Sequence, residues 1–258
     1  MKSITYLVLF ILLSCQACGQ NKSQQYSKSE KSNSETLNGF ALLELFTSQG
    51  CSSCPSADDN LTELMKDATI KGKKVYALAF HVDYWNRLGW KDPFSSSKYS
   101  DRQSMYVSAL HLQSAYTPQM IVNGETQFVG SDNKLARSAI AKGLATSNDY
   151  SLTLGSASTT DGDVSTIPYR IEGNIVGKEL CIAIVENGKV TNVKSGENRG
   201  RTLQNNHVVM WFDSITPDQF GSITLPKEQI KNRSNVDVVI FLQDERTKKI
   251  LAAEGLKL

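Results

Sequence analysis

The sequence predicts an α/β domain with the element order β-α-β-α-β-β-α, followed by an all-β antiparallel sandwich domain. Three observations carry that expectation. Apolar runs alternate with helical spacings as far as residue 147. From Asp149 onward the texture changes to short strands separated by turn signals. Two cysteines, Cys51 and Cys54, stand where the first apolar run hands over to the first helix.

In chain order, residues 41–46 are an apolar run that reads as a buried strand and breaks at Gly50. Pro55 opens a helix over residues 55–67, with Ala57, Leu61, Leu64 and Met65 at helical spacing. Proline suits a first helical turn because its missing N–H would have had no partner there. Residues 74–80 form a second buried strand, apolar on both faces as parallel strands require. Residues 81–94 carry Tyr84, Trp85, Trp90 and Phe94, too many aromatics for a loose loop. A helix follows over 95–112, with Tyr99, Met105, Tyr106, Ala109 and Leu110 as its apolar positions. Strands at 119–122 and 126–129 flank Asn123-Gly124, a strong hairpin signal. A helix over 131–146, with Leu135, Ile140 and Leu144, closes the unit.

The second half reads as strands at 150–154, 165–171, 179–185, 189–193, 206–212, 219–225, 236–243 and 249–256. Short strands at this spacing argue for a sandwich of about a hundred residues. Asn187-Gly188 and Asp244-Glu245 are expected to turn further hairpins.

The 258-residue chain carries a net charge of only +2, with acids and bases intermixed, which argues against a nucleic-acid partner. Lys2 precedes an apolar segment, residues 4–13, that is too short to span a bilayer. Leu12-Leu13-Ser14-Cys15 resembles the lipobox of bacterial lipoproteins, which implies cleavage before Cys15 and acylation of its thiol. Cys18 is a second candidate, and an ordinary secretory signal is the alternative. Residues 19–37 are polar and hold a single aromatic, Tyr26, so they read as a disordered tether. The expected organisation is a leader over 1–18, the tether over 19–37, an α/β domain over 38–147 and a β-sandwich over 148–258. The expected location is outside the cytoplasm, in the periplasm or as a lipoprotein of the cell or outer membrane. A lipid anchor would be the only membrane contact.

The β-α-β-α-β-β-α order resembles the thioredoxin-like fold over residues 38–147. That resemblance implies a redox centre at the end of the first strand and a cis proline facing it, and Thr117-Pro118 stands at the matching place. Longer stretches are similar to the bacterial family called domain of unknown function 1223. They are Glu44 to Pro55, Phe80 to Trp85, Gly89 to Phe94, Tyr116 to Met120, Val122 to Gly124, Phe128 to Asp132 and Gly196 to Arg201. The chain departs from that pattern at Ser56, where a second proline is usual, and at Asn86, where an acid is usual. The family has no established activity, so the resemblance bears on fold more than on function.

Cys51 and Cys54 sit at a helix N-terminus, whose free N–H groups and dipole favour a thiolate. Two intervening residues let one thiolate attack and the second release the mixed disulfide. Cys51 is expected to attack and Cys54 to resolve, on protein thiols or disulfides of the cell envelope, with electrons exchanged through a redox partner protein and no organic cofactor. A permanent Cys51–Cys54 clip is the plain alternative. Zinc would need two more ligands, and copper could use Cys51, Cys54 and His81. Haem attachment is excluded because Pro55, not His, follows Cys54. His81 and Asp83 follow the second strand, so they either move a proton or form a hydrogen-bonded pair that orders the aromatic segment. Thr117 and Pro118 could present backbone acceptors to a substrate, and Trp85, Trp90 and Phe94 either line a groove or pack their own segment. A binding module for a peptide, a glycan or copper or zinc is the competing class. Glu197, Arg199, Arg201 and His207 could bind an anion or touch the redox edge; a solvated loop is the plain reading. Cys181, in an apolar strand, reads as an inert buried thiol.

Overall fold

Alternation along the strands decides what each face of the sheet carries. The structure is a computed structural model that describes residues 39–70, 72–160, 164–230 and 235–258. The leader, the tether and the lipidation candidate Cys15 lie outside the described residues. In β1 (Ala41–Thr47), Leu43 and Leu45 face one way, Leu42 and Phe46 the other, and every position is buried. β2 (Val75–His81) runs parallel to β1, from Ala41 opposite Val75 to Thr47 opposite His81. β3 (Gln119–Val122) lies antiparallel on the other side of β1, and β4 (Thr126–Val129) lies antiparallel to β3. The Asn123-Gly124 turn between them has φ of 52° and 69°, the left-handed pair of a type I′ turn, and the Glu125 N–H closes it on the Val122 carbonyl at 3.1 Å.

Three α-helices cross this region: α1 (Pro55–Ile70), α2 (Ser97–Ala109) and α3 (Asn133–Leu144). α1 and α3 cover one face through Ala57, Leu61, Leu64, Ala136 and Ala139. α2 covers the other through Tyr99 and Tyr106. Asp132 caps α3 by accepting from the Leu135 N–H at 2.9 Å, and Ser96 caps α2.

The second half builds β5 (Ser151–Leu154), β6 (Ser158–Thr160), β7 (Val164–Glu172), β8 (Lys178–Glu186), β9 (Lys189–Asn192), β10 (Thr202–Asn205), β11 (Val208–Ile215), β12 (Phe220–Thr224), β13 (Val236–Asp244) and β14 (Ile250–Lys257). These strands do not make a separate domain. β11 docks parallel on the free edge of β2, with Val208 opposite Ala79 and the Ala79 N–H donating to the His207 carbonyl at 2.7 Å. One mixed eight-stranded sheet results, in the order β14-β13-β8-β11-β2-β1-β3-β4. β5, β7 and β12 form a second sheet, with β6 on β7, and share a core with the outer face of β8 and β13. β9 and β10 pair as a two-stranded ribbon.

The expected fold class, a thioredoxin-like α/β domain followed by an antiparallel sandwich of its own, is therefore wrong. The molecule is mostly β, and its main sheet and one of its cores run through both halves. Cys181, Ala183, Val185, Val239 and Phe241 pack with Phe46, Phe80, Tyr99 and Tyr106 in a single cluster. The physical reason is the open edge of β2, whose unpaired N–H and C=O groups require a partner. A strand apolar on both faces reads the same whichever strand lies beside it. The Asn187-Gly188 hairpin is corrected for a related reason: β8 pairs with β11 and β13, while β9 pairs with β10. β6 and β10 were not anticipated.

Beneath α2 the shared core holds a buried charge cluster. Arg102 donates to Glu44 at 2.6 Å, and the Tyr106 hydroxyl donates to the other Glu44 oxygen. Gln243 completes it, accepting from Arg102 at 3.2 Å and donating to the Tyr106 hydroxyl at 2.8 Å. Four rings surround the guanidinium, with Phe212 at 4.6 Å and Phe80, Tyr106 and Phe241 at 5.3–5.5 Å. Glu44 and Arg102 come from the first half and Gln243 from the second, so the cluster also ties the halves together.

Candidate functional site

β1 ends at Thr47, and the next seven residues turn the chain into α1. Within that turn Cys51 and Cys54 close a disulfide with Cα atoms 5.4 Å apart. The Cys51 N–H donates to the Ser48 carbonyl at 3.2 Å, and the Cys54 N–H to the Cys51 carbonyl at 3.3 Å. The Cys54 carbonyl accepts from the Ala57 and Asp58 N–H groups at 2.9 and 3.1 Å, so Cys54 is the entry to α1 and Pro55 its first residue. Both cysteines are buried, at 1% and 0% exposure, while Ser52 and Ser53 face solvent.

Behind the turn lies a buried polar group that the sequence did not reveal. Asp58, one turn along α1 from Cys54, accepts from the Thr47 hydroxyl at 3.1 Å. Desolvation raises its carboxyl from 3.8 to about 7, despite the opposing pull of His81 and Thr47. His81 shares this face of the sheet and is fully buried. Its Nδ1 pairs with Asp92 Oδ2 at 2.7 Å, and its Nε2 has no hydrogen-bond partner among the described residues. Burial pushes the imidazole pKa down, but the charge and hydrogen bond of Asp92 outweigh it, and the net shift is upward. Burial likewise pushes Asp92 up, and His81 with the N–H groups of Gln49 and Phe94 pulls it below the usual range. The Gln49 N–H donates to Asp92 at 2.7 Å, which links the pair to the cysteine turn.

The partner expected for His81 was Asp83. Asp83 instead accepts from the Ser100 hydroxyl at 2.6 Å, beside α2. Trp85 donates its indole N–H to the Thr117 hydroxyl at 2.7 Å, and its Cβ lies 3.2 Å from where a Cβ on Gly50 would stand. Trp90 donates to the Gln49 side chain at 3.2 Å, and the Phe94 ring meets His81 edge-on at 5.4 Å. These aromatics pack the 81–94 segment against the turn and the Thr117-Pro118 peptide, which is cis. Pro118 is buried and reaches the start of α1 through Gly130. A Cβ on Gly130 would stand 3.4 Å from Pro118 Cβ, 3.0 Å from Ala57 Cβ and 2.6 Å from Leu45. Only glycine allows that approach.

The second half also reaches the turn. The loop over 193–201, between β9 and β10, lies on it. Asn198, 1% exposed, donates to the carbonyls of Gln49 and Cys51 at 2.9 and 2.8 Å. Glu197 accepts from the Ser52 N–H at 2.9 Å, and Arg201 donates to Asn198 at 2.9 Å. This segment is thus docked on the turn, contrary to the plain expectation of a solvated loop. Arg199 is exposed, and His207 sits apart at the start of β11, its burial lowering the imidazole to about 4. Cys181 is a free, buried thiol beside Gln243, and desolvation raises its pKa.

Among the described residues no group of three or more His, Cys, Asp or Glu is arranged to hold a metal ion. The two sulfurs are bonded to each other, so the copper ligand set is not assembled. No helix among the described residues is long and apolar enough to cross a membrane. A cleft of about 830 Å³ runs along the outer side of α1 to Gln204, Asn206 and His207, and neither cysteine lines it.

The model of the family described as protein of unknown function (DUF1223) matches residues 42–243. The chain belongs to that family. The match spans the cysteine turn, the His81–Asp92 pair and the 193–201 loop. The chain is similar to protein AGR_C_4864 from Agrobacterium tumefaciens, known from an X-ray crystal structure. The identity is 28%, the TM-score 0.66, and the match covers 85% of this chain and 94% of the other. No curated protein matches the chain.

Of the residues now seen at the site, Asp58, Asp92, Gln49 and Asn198 were missed. Asp58 had a usable signal, the i+4 spacing from Cys54 that puts both on one helix face. Asp92 and Asn198 lay inside stretches already singled out, but nothing local pointed them at Cys51.

Proposed function

We propose that this DUF1223 protein is an exported thiol–disulfide exchange protein acting on cell-envelope proteins through Cys51 and Cys54. The observation that carries the reading is the closed Cys51–Cys54 pair at the N-terminus of α1, with Asp58 near neutrality one turn away. In the reducing direction the Cys51 thiolate attacks one sulfur of a substrate disulfide. That disulfide breaks, its second sulfur leaves as a thiolate and takes a proton, and a mixed disulfide forms on Cys51. Cys54 loses its proton and attacks Cys51 Sγ, which frees the remaining substrate thiolate and closes Cys51–Cys54. Two electrons pass to the substrate, and a dithiol partner protein restores the pair. The same steps in reverse oxidise a substrate dithiol. Asp58 is suited to take or return the Cys54 proton, because a group near neutrality is half-ionised at working pH. Thr117 and Trp85, half-buried beside the buried Pro118, form the neighbouring surface on which a substrate chain would lie.

Burial of both cysteines favours a second reading, a binding module in which the pair is a structural clip. A Cys54→Ser variant separates the two. Exchange predicts mixed disulfides on Cys51 with envelope proteins, resolved by dithiol on a non-reducing gel. Absence of adducts, together with a wild-type disulfide that resists mild dithiol while the protein stays folded, would leave the clip.

A further inference from the structure

We infer that the 193–201 loop is a redox-linked latch, in which Glu197 holds the loop on the disulfide form of the turn and is displaced when Cys51 becomes a thiolate. The inference rests on the exchange reading above. The loop is closed at its own base, where the Val193 N–H donates to the Arg201 carbonyl and the Gly200 N–H to the Val193 carbonyl, each at 2.9 Å. It therefore keeps its shape whether or not it touches the turn. Its two grips differ in kind. Asn198 donates to two neutral carbonyls, Gln49 and Cys51, and those bonds are indifferent to the state of the sulfurs. Glu197 places a carboxylate on the N–H of Ser52, the residue that follows Cys51.

That N–H belongs to the turn whose free amides would stabilise a Cys51 thiolate. In the disulfide there is no anion on Cys51, and the amide is free to serve Glu197. Reduction adds two electrons, breaks the S–S bond and leaves Cys51 Sγ negative at the residue before that amide, with the Ser53 hydroxyl 3.3 Å from the sulfur. The thiolate and the Glu197 carboxylate, held at adjacent residues of the turn, then repel each other. Glu197 is exposed, so it moves to water at little cost. Linkage makes the effect reciprocal: if reduction weakens the latch, the latch disfavours reduction by the same factor. Glu197 thereby makes the pair a stronger reductant than the turn alone would be. Once the dithiol is regenerated, the loosened loop uncovers Cys51 for its substrate.

The test is Glu197→Gln, which keeps an oxygen acceptor for the Ser52 N–H and removes the charge. Both proteins are equilibrated with reduced and oxidised glutathione at mildly alkaline pH, and the dithiol fraction is read by alkylation and mass spectrometry. The variant is expected to shift toward the dithiol by about two- to fivefold, the effect of one charge at a helix N-terminus. Tryptic cleavage at Arg199 and Arg201 supplies the second readout. Wild type is expected to be cut faster when reduced than when oxidised, and the variant to lose most of that difference. If wild type exchanges with glutathione and the variant has the same equilibrium constant, the latch is wrong and the exchange reading stands. If wild type does not exchange at all, both fall.

Discussion

His81 and Asp58 stand on one buried face behind the cysteine turn, and each alters the other's charge. Their titration is one part of how stability depends on pH, and His207, lowered from 6.5 to about 4, opposes Asp58 between those values. Asp58 is raised from 3.8 to about 7, so between those values the folded chain holds a proton that the unfolded chain has lost. Its contribution to stability is fully present below that window and is lost as pH rises through it. His81, raised above 6.5 by Asp92, acts in the same direction at higher pH. Asp92, lowered by His81, acts oppositely, and its contribution is lost as pH falls below 3.8. Asp58→Asn is therefore expected to remove that contribution, so that the variant gains stability relative to wild type as pH rises from about 4 to about 7. Urea denaturation across that range reads it, and wild-type and variant profiles that run parallel would sink the assignment. The residue scale is also where sequence reading misled. Asp83 is nearer His81 in the chain, but the loop that returns beneath the sheet edge carries Asp92.

At the scale of elements, the site depends on how closely α1, β1 and the Pro118 peptide meet. Gly130 is the point of contact, with Leu45, Ala57 and Pro118 all within van der Waals reach of a missing Cβ. Asn60 reinforces it by donating to the Gly130 carbonyl at 2.8 Å. Gly130→Ala is expected to push the start of α1 away from Pro118 and cost about 1–3 kcal/mol, the usual effect of overpacking. Chemical denaturation measures the loss, and a variant as stable as wild type would show that the contact yields easily. The helix itself was legible, because Pro55 and the spacing of Ala57, Leu61 and Leu64 are local signals. The approach of Gly130 was not, since that residue stands 70 positions beyond Asn60 in the chain.

At the scale of the molecule, β11 on the edge of β2 makes one sheet of two halves, and α2 lies over strands from both. Tyr99 donates to the Val209 carbonyl at 3.0 Å, and Arg102 reaches Gln243. A chain ending at residue 147 would lose both partners, leave Arg102 and Glu44 without Gln243 and open the β2 edge to water. Such a fragment is expected to show no cooperative unfolding transition and to bind a hydrophobic dye. Near-ultraviolet circular dichroism with a denaturant series checks this, and a sharp, reversible transition would contradict it.

The residue pattern by itself determined where most strands and helices lie, and that two cysteines close the step from β1 into α1. Those features rest on spacing within a few residues, and period and turn chemistry are written locally. Only the tertiary structure decided that β2 takes β11 as its neighbour, that His81 takes Asp92, and that Glu197 and Asn198 close on the turn. Each joins segments whose own sequences suit many partners. An apolar strand accepts any matching edge, and a buried polar side chain pairs with whichever donor or acceptor the fold brings within hydrogen-bond distance.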